Sequence, residues 1–192
     1  MSWRFFREFC SDWRATGAVA PSSRALASRV VELAGVKKAR RILELGPGTG
    51  PFTEAIQAAM PEGARYLGLE LNTTFTNRLR ERFPDMQFEA VAAQEYNFDG
   101  FLQADESFDC IISGLPWTAF PPWLQTAILD HALTRLKAGG HLVTFAYSAF
   151  HLLPAGQHFA QLLASRCASL ERSRTVWGNL PPAFVYKATK HA

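Results

Sequence analysis

The sequence predicts an α/β fold: a mostly parallel seven-stranded sheet covered by helices on both faces, with an antiparallel last strand. Three observations predict it. From Arg41 onward, short apolar runs alternate with segments of helical periodicity, the pattern of strand–helix–strand units. A glycine-rich turn, Gly46–Gly50, closes the first apolar run and opens a helix. Two apolar runs at the end of the chain are joined by a short turn, so they pair antiparallel at the sheet edge. The 192 residues suit one domain, and an apolar fraction of 48% is enough to fill a core.

The elements follow in order. Trp3, Phe6, Phe9/Cys10 and Trp13 recur at helical spacing over residues 3–14, with Arg4, Arg7 and Arg14 off the aromatic face. Gly17 to Pro21 breaks that pattern. Ser22 or Ser23 can cap a second helix with Leu26, Val30 and Leu33 inward, ended by Gly35. Strands are expected over Arg41–Leu45, Tyr66–Glu70, Gln87–Val91, Phe108–Ser113, His141–Tyr147, Arg172–Trp177 and Ala183–Ala188. Helices are expected over Phe52–Met60 (after Pro51, whose fixed φ suits a first turn), Thr73–Arg82, Pro121–Leu136 (ending near Gly139-Gly140) and Phe159–Cys167.

Composition narrows the function. No apolar run approaches the roughly 18 residues that cross a bilayer. Arg4, Arg7, Glu8, Asp12 and Arg14 interrupt any apolar stretch near the start, so no signal peptide is expected. Cys10, Cys110 and Cys167 are far apart and match no metal or redox spacing; no metal is expected. Residues 1–41 hold nine basic and three acidic residues, whereas the remainder holds eleven basic and fourteen acidic. A basic first segment on a slightly acidic body points to an anionic partner, membrane or nucleic acid.

Arg41-Ile-Leu-Glu-Leu-Gly-Pro-Gly-Thr-Gly-Pro51 carries the strongest signal. Gly46, Gly48 and Gly50 let the backbone turn sharply and approach a ligand closely. Glu70, 20 residues past Gly50, stands where a carboxylate accepts hydrogen bonds from vicinal ribose hydroxyls. A dinucleotide would use similar geometry, but its loop is spaced G-x-G-x-x-G, and this one is G-x-G-x-G. Glu44, just before the loop, can face an ammonium. Glu44-Leu-Gly-Pro-Gly-Thr-Gly50 resembles the first motif of the Rossmann-like class I methyltransferases. That resemblance implies S-adenosyl-L-methionine as cofactor, with Glu44, Gly46, Gly48, Thr49, Gly50, Glu70 and Leu71 around it. In that family the third strand ends in an acid that reads the adenine amino group. This chain has Ala92 there, followed by Ala93, Gln94 and Glu95; Ala92, Ala93 and Gln94 are still expected at the cofactor, with Gln94 or Glu95, or backbone groups, standing in for the acid.

The fourth strand leads into Ser113-Gly-Leu-Pro-Trp117. Nucleic-acid amino methyltransferases carry Asn or Asp, Pro and an aromatic here, the ribosomal adenine dimethylases Asn-Leu-Pro-Tyr. Gly114 replaces the Asn whose carbonyl would hold a planar aromatic amine, which favours an alkyl amine. Three segments are similar to the bacterial phospholipid N-methyltransferases: Gly17-Ala-Val-Ala-Pro-Ser-Ser-Arg24, Ser113-Gly-Leu-Pro116 and Val176-Trp-Gly-Asn-Leu-Pro-Pro-Ala-Phe-Val-Tyr186. The likeness runs from about residue 5 to the end. It implies stepwise methylation of phosphatidylethanolamine towards phosphatidylcholine, by a cytoplasmic protein held peripherally on the inner membrane. Residues 1–34 would form membrane-binding and lid helices, with Trp3, Arg4, Phe6, Arg7, Phe9 and Trp13 facing anionic lipid, and residues 35–192 the methyltransferase domain.

The resemblance also sorts the remaining candidates. Ser113 and Gly114 would touch the cofactor, and Leu115, Pro116, Trp117 and Arg24 the substrate. Trp117 and Phe120 could hold a methylated ammonium by cation–π contact, or simply pack in the core. Tyr147, His151 and Tyr186 are candidates to contact the amine, which must lose a proton before it attacks. The alternatives are a ribosomal-dimethylase-like nucleic-acid enzyme, a small-molecule amine methyltransferase, and a binding module without catalysis. The ribosomal enzymes add a helical RNA-binding domain after the seventh strand, whereas this sequence ends at Ala192; no nucleic-acid partner is expected.

Overall fold

A computed structural model of the chain describes residues 22–192. The helix expected over residues 3–14, with its six membrane candidates, lies outside the described residues. Five helices and seven strands follow: α1 (Arg24–Ala34), β1 (Arg41–Leu45), α2 (Pro51–Ala59), β2 (Arg65–Leu69), α3 (Thr73–Arg82), β3 (Gln87–Glu89), β4 (Phe108–Ser113), α4 (Pro122–Thr134), β5 (Leu136–Tyr147), α5 (Pro154–Arg166), β6 (Ser169–Arg172) and β7 (Ala183–Thr189). The sheet order is β3-β2-β1-β4-β5-β7-β6. Strands β1 to β5 run parallel, and β7 lies antiparallel between β5 and β6. This is the Rossmann-like α/β architecture.

Local chemistry starts the helices. Ser23 caps α1 by accepting from the Leu26 N–H, and Gly35 ends it in a left-handed conformation. Asn72 caps α3 by accepting from Thr74 and Phe75. Pro51, Pro122 and Pro154 sit in the first turns of α2, α4 and α5, where no N–H is needed.

Strand alternation then divides the core. Leu43, Leu45, Leu67, Ile111 and Phe184 face α4 and α5, whereas Ile42, Tyr66, Phe88, Val143 and Val185 face α1, α2 and α3. α1 packs along α2 and across β4, β5 and β7, with Leu26 and Val30 fully buried and Leu33 partly so. Its body is therefore a core layer. No helix among the described residues is long and apolar enough to cross a membrane.

Several boundaries differ from the sequence reading. α4 stops at Thr134, and β5 begins at once, because Leu136 already pairs with Phe108. Gly139-Gly140 lies inside that strand, near a register shift against β4, and does not end a helix. α5 begins five residues earlier than expected, at Pro154. β6 is Ser169–Arg172; of the stretch expected as Arg172–Trp177, Arg172 closes β6 and Val176 forms an isolated bridge to Ala183. β3 ends at Glu89.

Candidate cofactor and acceptor site

The chain order reverses between β1 and β4, and in such sheets ligands bind at the carboxyl ends beside the reversal. The two strands deliver Gly46 and Gly114 there. Gly46 N donates to Leu69 O at 2.9 Å and Gly114 N to Leu45 O at 2.8 Å, stitching three strand ends together. Gly46, Gly48 and Gly50 all hold positive φ, at 68°, 63° and 88°. A side chain at any of them would be strained, so the loop presents bare backbone. Gly114 is constrained differently: a Cβ there would lie 2.7 Å from Gly46 O. The Asn found in nucleic-acid enzymes does not fit against this loop. Packing therefore accounts for Gly114 independently of acceptor chemistry.

Glu44 lies beneath the loop, fully buried. Its Oε2 accepts from Tyr66 Oη at 2.5 Å and from Thr53 Oγ1 at 2.9 Å, while Oε1 has no partner. Burial pushes its carboxyl up to about 7 against those two hydrogen bonds, and the nearby Glu70 charge adds to the rise. A buried carboxylate with one unused oxygen is a receptor for a cation. Glu70 follows β2 and is almost buried; its carboxylate accepts from Gly48 N at 3.0 Å and from Asn72 N at 2.9 Å. It thus ties the loop to the start of α3, with Leu71 half-buried beside it. Thr49 is exposed at the loop tip, and its carbonyl accepts from Arg82. An unused buried anion, a bare glycine backbone and a second carboxylate fit the ammonium, the backbone-facing edge and the ribose of S-adenosylmethionine.

Beyond β3, Ala92 is buried in a turn closed by Glu95 N donating to Ala92 O. Ala93 packs on the core, Gln94 is half-buried, and Glu95 is exposed.

The turn after β4 is held from inside. Ser113 is fully buried, and its Oγ accepts from Leu115 N at 3.3 Å and Trp117 Nε1 at 3.1 Å. Its hydroxyl orders the turn. Trp117 is 3% exposed, with its ring stacked on Phe159 at 4.6 Å and 16° and Phe120 edge-on to it. Both aromatics pack in the core, the second of the two roles that the sequence allowed them. Leu115 and Pro116 stay half-buried, and the Leu115 side chain covers Gly46.

The three candidates for contact with the amine divide between the sheet faces. Tyr186 Oη and His151 Nδ1 lie 2.7 Å apart on the α5 side, against Phe184. Tyr147 lies on the α1 side, edge-on to Phe145, its hydroxyl pushed up to about 12 by burial. Tyr186 is raised as well, by burial, while burial and then the Arg172 charge draw His151 below its ordinary value. Arg24 is exposed at the first turn of α1. Among the described residues the cysteines offer no nucleophile: Cys110 and Cys167 are buried, and burial pushes Cys110 up to about 12.

Sequence reasoning missed Tyr66, Thr53, Gln125 and Asn179. Gln125 donates to Trp117 O at 2.8 Å and Phe120 O at 3.0 Å, fastening the turn after β4 to α4. Asn179 Oδ1 accepts from Ser23 N at 2.9 Å, and its Nδ2 donates to Pro181 O at 2.8 Å. It joins two of the segments that carried the family likeness. Strand register brings Tyr66 to Glu44, and the packing of α2 on the sheet brings Thr53. The available signal was Gly68, where a Cβ would lie 2.8 Å from Tyr66 Oη and obstruct its reach.

A methyltransferase domain family model matches residues 42–140, just over half of the chain. The ornithine lipid N-methyltransferase of Singulisphaera acidiphila is 29% identical over 82% of this chain and 94% of its own length. The ribosomal RNA small subunit methyltransferase A of a Marinomonas species is 26% identical over 57% of this chain, which spans only 39% of that protein. The N-methyltransferase NodS from Bradyrhizobium japonicum, solved with S-adenosyl-L-homocysteine, superimposes with a TM-score of 0.69 over 85% of each chain, at 16% identity. This last likeness is one of fold. The chain belongs to the methyltransferase domain family and is a class I S-adenosylmethionine-dependent methyltransferase, related to N-methyltransferases of lipids and small molecules.

Proposed function

We propose that the acceptor is the primary amine of a membrane-lipid headgroup, methylated at the membrane surface. The observation that carries this reading is the similarity to an ornithine lipid N-methyltransferase over 82% of this chain and 94% of that protein. The ribosomal relative is matched over a much smaller part of its length. Ornithine lipid and phosphatidylethanolamine both offer an alkyl amine; the first is supported by that relative, the second by the three family-like segments. Gly114 is consistent with either, since the turn leaves no room for an Asn amide to hold a planar amine. The location follows from the same reading: cytoplasmic, peripheral on the inner membrane, with residues 3–14 in the headgroup layer.

S-adenosylmethionine supplies an electrophilic methyl on a sulfonium sulfur. Glu44 Oε1 would receive its ammonium, the Gly46–Gly50 backbone would allow its close approach, and Glu70 would meet its ribose. The rest of the catalysis is position and proton removal. The acceptor ammonium would have to lose a proton first, so that its nitrogen lone pair is free to take the methyl group. Two raised phenols stay protonated at neutral pH and cannot take that proton. His151, drawn below its ordinary value and beside Tyr186 Oη, is neutral there and is assigned the proton.

Expression of the chain in a host lacking methylated lipids, followed by mass spectrometry of total lipids, tests the proposal. Amine lipids heavier by one to three methyl groups are the expected result. An unaltered lipid profile from a host in which the purified protein binds cofactor would remove the lipid acceptor.

A further inference from the structure

We infer that the folded domain carries its own membrane-contacting rim, separate from residues 3–14, made by Trp123, Leu152, Leu153, Trp177 and Leu180. The choice of a lipid surface as partner rests on the lipid-amine reading above; the rim itself rests on the geometry. These five are the large apolar side chains that stand exposed among the described residues, from 52% to 79%. Single exposed apolar residues are ordinary on any protein, but a common location for all of them is not.

Topology places each at the same end of the sheet. Trp123 is in the first turn of α4, after the carboxyl end of β4. Leu152 and Leu153 follow the carboxyl end of β5 and precede α5. Trp177 and Leu180 belong to the turn before β7, whose first residue, Ala183, pairs with Tyr147 at the end of β5. The same end carries the glycine loop, Glu70 and His151. The opposite end is charged, with ion pairs Arg41–Glu106–Arg65, Lys137–Asp109 and Arg135–Asp99 at the amino ends of the strands.

Charge selects the partner. Between Asp109 and Asp130, and between Lys137 and Arg166, the chain has no Asp, Glu, Lys or Arg. After Glu171 it has no acidic residue at all, and Arg172 and Arg174 lead into the Trp177 turn. Apolar tips on three separate loops free of acidic residues, one of them led by Arg172 and Arg174, suit insertion between the headgroups of an anionic bilayer. Asn179 also ties this turn to Ser23, so residues 1–21 join the described chain beside it. The rim is therefore continuous with the start of α1, and a lipid docked on it has its headgroup at the acceptor end of the sheet.

The test is sedimentation of the full chain with phosphatidylglycerol–phosphatidylcholine vesicles, which contain no amine acceptor. Trp177→Ser/Leu180→Ser and Leu152→Ser/Leu153→Ser are each expected to lower the vesicle partition by about tenfold while leaving the lipid-free melting temperature unchanged. Unchanged partition in both variants overturns the proposal. So does a lost partition accompanied by a lower melting temperature, which would mean that residues 1–21 cover these side chains. Because the vesicles hold no substrate, a failure of methyl transfer to lipid amines would count against the acceptor and leave this result standing.

Discussion

Glu44→Gln separates the electrostatics of the cofactor cradle from its shape. Glu44 is fully buried, and burial raises its carboxyl to about 7 from an ordinary 4.5. Between those values the folded chain keeps a proton that the unfolded chain releases. The stability contributed by that proton is complete below the unfolded value and is lost as pH rises through the folded one. At about 1.4 kcal/mol per pH unit, the ligand-free protein loses about 3 kcal/mol from this group by about pH 8.5. Glutamine cannot ionise, so the variant escapes this loss. Its amide N–H2, set where Oε1 has no partner, costs about 1–3 kcal/mol, but equally at every pH. The difference in melting temperature, variant minus parent, is thus expected to rise by about 6–12 °C between about pH 5 and pH 8.5 for a chain of this size. Titrating groups that are not coupled to Glu44 cancel in the difference. At about pH 8 the variant should also bind S-adenosylhomocysteine about tenfold more weakly by calorimetry, having lost the anion that meets the ammonium. A difference that stays flat with pH would refute the buried, half-satisfied carboxylate.

Three further outcomes follow from individual contacts. Gly114→Ala drives a Cβ to 2.7 Å from Gly46 O, so the loop must shift; about 1–3 kcal/mol of stability and much of the cofactor affinity should be lost, read by melting and calorimetry. Asn179→Ala leaves Ser23 N and Pro181 O without their partner and should cost about 1–3 kcal/mol in denaturant unfolding, with cofactor affinity retained. His151→Gln should lower kcat while leaving the cofactor KM near its parent value. The rise of parent activity with pH, centred below the ordinary histidine value because His151 is drawn down, should vanish in this variant, as a steady-state pH profile would show.

The legibility of this protein follows the range of each interaction. The glycine loop, Glu44 and Glu70 could be read because strand, turn and acid recur at short spacing along the chain. Their partners could not. Tyr66 meets Glu44 only because β1 and β2 pair with Ile42 opposite Tyr66 and Glu44 opposite Gly68, a register that no local pattern states. Trp117 and Phe120 looked like a cation site because an aromatic beside an active-site turn is compatible with both roles; the Phe159 stack, 42 residues away, decides for the core. Gly139-Gly140 looked like a helix stop because glycine pairs often are, yet pairing of Leu136 with Phe108 had already begun the strand. His151 and Tyr186 were separate candidates in sequence and became a hydrogen-bonded pair only through the antiparallel return of β7.

The central claim concerns the acceptor, and one assay tests it most directly. Purified chain is given methyl-labelled S-adenosylmethionine with ornithine lipid or phosphatidylethanolamine in anionic vesicles, and ribosomal RNA in a parallel reaction. Label in the organic phase from at least one lipid, and none in the RNA, is the predicted result. Label in the RNA alone would contradict the account and move the acceptor to a nucleic-acid amine.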